Sequence, residues 1–160
     1  MPTPREGIQF LETHLHEDHQ PVGLPDFMGA ASFAIVFGPT DFVIVSVEPE
    51  APEHVSITGG VLKSVSSDRH MLLQYCNTET ANNAGMPIYA HGEDVLLQKR
   101  TPIAVIARVP ELLSIQIDDI PPYAAEKRNS WLRDGIAGEP FEWGGPDLQR
   151  LHMKATTPAM

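Results

Sequence analysis

The chain has 160 residues, 42% hydrophobic and 20% charged, proportions that suit one globular domain with its own core. Its formal net charge of −10 argues against nucleic acid and anionic membrane as natural partners, because both are bound through basic surfaces. The same acidity suits contact with basic segments of another protein.

No apolar run approaches membrane-spanning length, and MPTPREGIQF lacks the basic-then-apolar order of a secretory leader, so the expected setting is cytoplasmic. The single cysteine, Cys76, rules out an intrachain disulfide and is expected as a buried thiol.

In chain order, Ile8, Leu11 and Leu15 at i, i+3, i+7 predict a short helix over residues 5–18. Pro21, Gly23, Pro25 and Gly29 mark the next stretch as loop. Two β-branched and aromatic runs, 32–37 and 41–48, flank Gly38-Pro39-Thr40 and predict a hairpin. The second run is almost wholly apolar, which implies cover on both faces. Residues 54–65 read as a third strand, with Gly59-Gly60 at a bulge or bend.

Ser66, Ser67 and Asp68 are N-cap candidates for a helix carrying Leu72, Leu73, Tyr75 and Cys76, closed by Gly85. Strands 86–91 and 94–100 then meet across Gly92-Glu93, and Pro102 ends the second. The pattern from 103 to 135 is helical, with Pro110 in a first turn. Pro121-Pro122 should break it, leaving a second helix over 123–133 with Trp131 and Leu132 inward. Residues 146–160 pattern weakly and are expected as a partly mobile tail to a domain of residues 1–145. The order is helix, three strands, helix, two strands, helices: an α+β fold, an antiparallel sheet with helices on one face.

This order, with the helix LLQYCNTETANNAG, the strand PIYAH and the segment EDVLLQKRTP, resembles the type III secretion chaperone-like superfamily, which includes the YbjN-like proteins of many bacteria. Asn77, Gly85, Tyr89, Asp94 and Pro102 occupy the matching places, and the likeness spans residues 53–143. Pro121-Pro122 departs from the single long C-terminal helix that the resemblance implies. A non-catalytic protein-binding module, often a homodimer, with no cofactor, is what it implies.

A second motif points elsewhere. Residues 13–19 spell THLHEDH, which matches the HxHxDH signature of metallo-β-lactamase-fold hydrolases through His14, His16, Asp18 and His19. Imidazoles and a carboxylate suit zinc, so a zinc-dependent hydrolase or metal-binding protein is the alternative reading. On a helix, however, His14 and His16 would lie about 200° apart and cannot share an ion, and only His16 and His19 are neighbours.

The remaining candidates read as structure. Asp118-Asp119 and Glu126 form an exposed acidic group, and Ser114 and Ser130 have no neighbouring histidine in sequence. Lys99-Arg100 and Lys127-Arg128 are too few for a nucleic-acid footprint, and the Gly-Gly pairs lack the setting of a phosphate loop. Trp131, Phe141 and Trp143 are candidate interface anchors, with Trp131 also suited to the core.

Overall fold

In the computed structural model, which describes residues 3–66, 68–82 and 86–156, the chain opens on helix α1 (Pro4–Glu12). Thr3 and Glu6 form a reciprocal capping box and Pro4 occupies the first turn, so the start is fixed by local chemistry. The helix stops six residues short of the expected 18. The Thr13 hydroxyl donates to the Phe10 carbonyl at 2.6 Å and His14 Nδ1 lies 3.0 Å from the same oxygen, so side chains take up a carbonyl near the helix end. Ile8 and Leu11 point into the core, with Leu15 packed beside them.

Strand β1 (Val22–Phe27) follows, in a segment expected to be loop. Gly23 and Pro25 are tolerated because β1 is an edge strand, and its register slips between Leu24 and Phe27. Met28 and Gly29, both with left-handed φ, turn the chain into β2 (Ala30–Gly38). Then come β3 (Asp41–Glu48) and β4 (Ala51–Leu62), so four strands rather than three precede the second helix. Helix α2 (Arg69–Asn82) begins at Asp68, whose carboxylate accepts the Met71 N–H at 3.0 Å. Ser67 and Gly85 lie outside the described residues. The expected hairpin forms as β5 (Ile88–His91) and β6 (Asp94–Pro102), turning at Gly92 with φ 65°.

All six strands join one antiparallel sheet in the order β1-β2-β3-β4-β6-β5, and the architecture is α+β. On one face, Phe33, Val43, Val45 and Ile57 pack against α1, the short α3 (Ile103–Arg108) and α4 (Leu112–Arg133). Farther along, α2 adds Leu72 and Cys76 to a cluster with Ile88 and Trp131. The opposite face is covered as well. Leu24, Ala34, Ile44 and Leu96 pack under Phe141 and helix α5 (Gly145–Ala155), so helices are not confined to one face. Residues 146–155, expected within a loose tail, are helical, with Leu151 wholly buried.

Helix α4 runs through Pro121-Pro122 without a break, against expectation. Each proline removes an intrahelical N–H, at a cost of about 3 kcal/mol or more. Ile117, Ile120, Ala124, Arg128 and Trp131 recur on one side across the pair and are all buried. Full burial contributes about 1.5–3 kcal/mol for each of Ile117, Ile120 and Trp131, a gain of the same order as the cost of the two prolines. Arg128 also donates to the Val61 carbonyl at 2.8 Å and stitches the helix to β4. Leu132, expected inward, is exposed.

Gly59-Gly60 is where the two layers come closest to the sheet. A Cβ on Gly59 would lie 2.5 Å from Ile120 Cγ2, and one on Gly60 would lie 2.9 Å from Phe141 Cγ on the other face. Neither has a left-handed φ, so space, not backbone conformation, requires glycine here.

Candidate functional site

THLHEDH lies in the turn between α1 and β1, on no helix and after no strand. The His14 ring folds back on Phe10, with ring centres 4.4 Å apart. His16 Nδ1 accepts the Asp18 N–H at 3.2 Å, and the His16 N–H donates to Ser114 Oγ at 2.8 Å. His19 is buried, with Nε2 2.7 Å from the Asp118 carboxylate on α4 and Nδ1 without a partner. The segment thus staples the α1–β1 connection to α4. Among the described residues no three His, Cys, Asp or Glu side chains are placed to hold one metal ion: His16 and Asp18 pair with each other at 3.3 Å, while His14 turns to Phe10 and His19 to Asp118.

The aromatic anchors divide. Trp131 and Phe141 are core side chains, buried against Tyr75 and Gly60 respectively, so neither is available to a partner. Trp143 is half-buried, its ring edge-on to Phe42 at 5.3 Å. Cys76 is buried as expected, and burial pushes its thiol up to about 11. The basic pairs serve the fold: Lys127 meets Glu79 at 2.8 Å, Arg128 bonds backbone, and Arg100 meets Glu48 at 3.1 Å.

Both sheet edges are guarded. On β1, Pro25 offers no N–H, and the register slip disrupts the strand beside it. On β5, the Thr80 hydroxyl donates to the Ile88 carbonyl at 2.8 Å and accepts the Ile88 N–H at 3.1 Å. Helix α2 thereby occupies the outward-facing backbone groups of Ile88 at the start of β5.

An open groove of about 600 Å³ lies on the α1 side. Gly7 and Phe10 of α1 form one wall, and Pro102, Ile103 and Ala104, where β6 turns into α3, form the other. Pro52 lies between them, and Glu6 and Glu53 stand at the rim, both solvent-facing. The lining is otherwise apolar and contains no cation. Gly7 sets the spacing: a Cβ there would touch Ile103 and Val47 at 3.5 Å. Phe10 is 37% exposed, an unusual place for a phenyl ring on an otherwise polar helix face.

The arrangement has no nucleophile beside a base, and its chemistry is that of contact: apolar burial framed by negative charge. Sequence reasoning missed it because Gly7, Pro52 and Ile103 come from three distant segments. Phe10, off the Ile8–Leu11 stripe, is the one signal that pointed there. Compared with protein-family models, curated proteins and solved structures, the chain finds no match.

Proposed function

We propose that this protein is a non-catalytic binding module that takes a segment of another polypeptide in the groove between α1 and α3. The observation that carries the reading is the groove itself, open and apolar, with two carboxylates and no lysine or arginine among the described residues that line it. Such a site fits one or two aliphatic or aromatic side chains flanked by lysine or arginine, and the net charge of −10 steers such a segment toward the protein. The guarded sheet edges turn the reading away from strand addition and toward a groove.

The resemblance to type III secretion chaperone-like and YbjN-like proteins lends support. The element order on which it rests recurs here with one added edge strand, and α4 runs unbroken through Pro121-Pro122. The same resemblance carries a homodimer, which light scattering tests. The alternative, a zinc-dependent hydrolase, rests on the THLHEDH motif alone.

Fluorescent peptides in which Leu and Phe are flanked by Lys and Arg test the proposal, alongside peptides with Glu in place of the basic residues. Saturable binding of the basic set, weakened by salt as exposed charges are screened, is expected. Equal binding of the acidic set, or no effect of Phe10→Glu, would refute it.

A further inference from the structure

Helix α5 covers the second face of the sheet, and it is attached differently from the other helices. Leu151 and Ala155 are its wholly buried apolar side chains, with Leu148 half-buried beside them. Gln98 Nε2 donates to the Ala155 carbonyl at 3.3 Å and Lys154 Nζ to the His91 carbonyl at 2.8 Å, and ion pairs supply the other polar contacts. Asp94, at the start of β6 and 0% exposed, takes Arg150 bidentately, Nε at 2.6 Å and Nη2 at 2.5 Å, and Lys154 at 2.6 Å. Lys63 holds Asp147 in the first turn at 2.6 Å.

The helix also fits its seat loosely. Clefts run along both flanks, about 430 Å³ toward His91 and about 270 Å³ toward β1, and Gln149 and Met153 line both. Beneath it His152 is buried with Nε2 unpartnered. At its N-terminal end Gly144 and Gly145 both have left-handed φ, 89° and 59°, with open space around them, which is the form of a hinge.

We propose that α5 is a displaceable cover, occupying in cis a site on the second sheet face that receives a basic amphipathic helix from another polypeptide. The helix itself specifies the occupant. Apolar residues stand at i, i+3 and i+7 (Leu148, Leu151, Ala155), and cations at i+2 and i+6 (Arg150, Lys154) reach Asp94. A carboxylate so buried cannot be left uncompensated, so α5 yields to a helix that brings cations and resists one that does not. The flanking clefts give the incomer its advantage: side chains larger than Gln149 and Met153 gain contacts that α5 leaves unmade. This surface is separate from the α1–α3 groove, so either site can fail its test without the other.

The test uses the full chain and a fluorescent peptide of sequence GPDLQRLHMKA. In Arg150→Ala/Lys154→Ala protein the resident helix lacks its cations, and the peptide should bind about tenfold or more tighter than to the wild type. The same peptide with alanine for its arginine and lysine should not bind. Equal affinity for variant and wild type, or binding that ignores the peptide's cations, overturns the proposal. Hydrogen exchange on the wild type stands independently of whether the variant folds. Amides of 149–155 should exchange through openings on the order of 100-fold more frequent than those protecting β3 and β4. Exchange of α5 only with the sheet core would show that the cover does not lift.

Discussion

Replacing Gly60 by alanine probes how the two helical layers meet the sheet. The new Cβ would lie 2.9 Å from Phe141 Cγ, closer than carbon atoms pack, and the ring is wholly enclosed, so it cannot swing clear. Overpacking of this kind costs about 1–3 kcal/mol. Alanine restricts the unfolded chain and returns about 0.4–1 kcal/mol, since the glycine φ is one that alanine adopts. The centres of these ranges leave a net loss of about 1.3 kcal/mol, with an upper limit of about 2.6 kcal/mol, or about 3–10 °C in melting temperature for a chain of this size. Phe141→Leu alone should also destabilise, by opening a cavity. Combined, the two should cost about 1 kcal/mol less than their sum, because the smaller side chain vacates the space the Cβ needs. Urea unfolding followed by circular dichroism measures all three variants. An unchanged Gly60→Ala protein, or strictly additive losses, would refute the claim that Phe141 sits on Gly60.

Gly7→Ala acts in the opposite sense: it should stabilise by up to about 1 kcal/mol in urea unfolding, because a mid-helix glycine gains a Cβ at ordinary contact distance. Burial lowers the pKa of His152, against a weaker opposing pull from Asp26. The unfolded chain therefore binds a proton that the folded one refuses, and stability should fall as pH drops through about 6.5. Comparing urea midpoints at pH 7 and pH 5 for wild type and His152→Leu checks this, and the variant should lose less. Cys76, raised to about 11, should react with iodoacetamide at pH 8 far more slowly in the folded protein than in urea, as timed alkylation would show.

Much of the sheet was legible because its signals are local. The 32–48 hairpin and the 86–100 hairpin follow from alternating runs and the turns between them, and the apolar run of β3 announced cover on both faces. Strand β1 was hidden by Gly23 and Pro25, residues that break a central strand but sit comfortably at an edge. Pro121-Pro122 misled for a different reason: the rule is a local cost, and α4 overrides it with burial that depends on where the sheet lies. Helix α5 carries the right spacing in Leu148, Leu151 and Ala155, but its stripe is narrow and half of its attachment is an ion pair to Asp94, which no periodicity reveals. THLHEDH shows the reverse failure. Its residue types suit zinc, yet their positions are decided by Phe10, Ser114 and Asp118, two of them about a hundred residues away.

The groove between α1 and α3 is the central claim, and nuclear magnetic resonance tests it most directly. Titrating ¹⁵N-labelled protein with a Lys- and Arg-flanked Leu-Phe peptide should shift the amides of residues 6–10, 53 and 103–104, and Phe10→Glu should abolish those shifts. Shifts confined to the β1 or β5 edge, or a spectrum the peptide leaves unchanged, would contradict it.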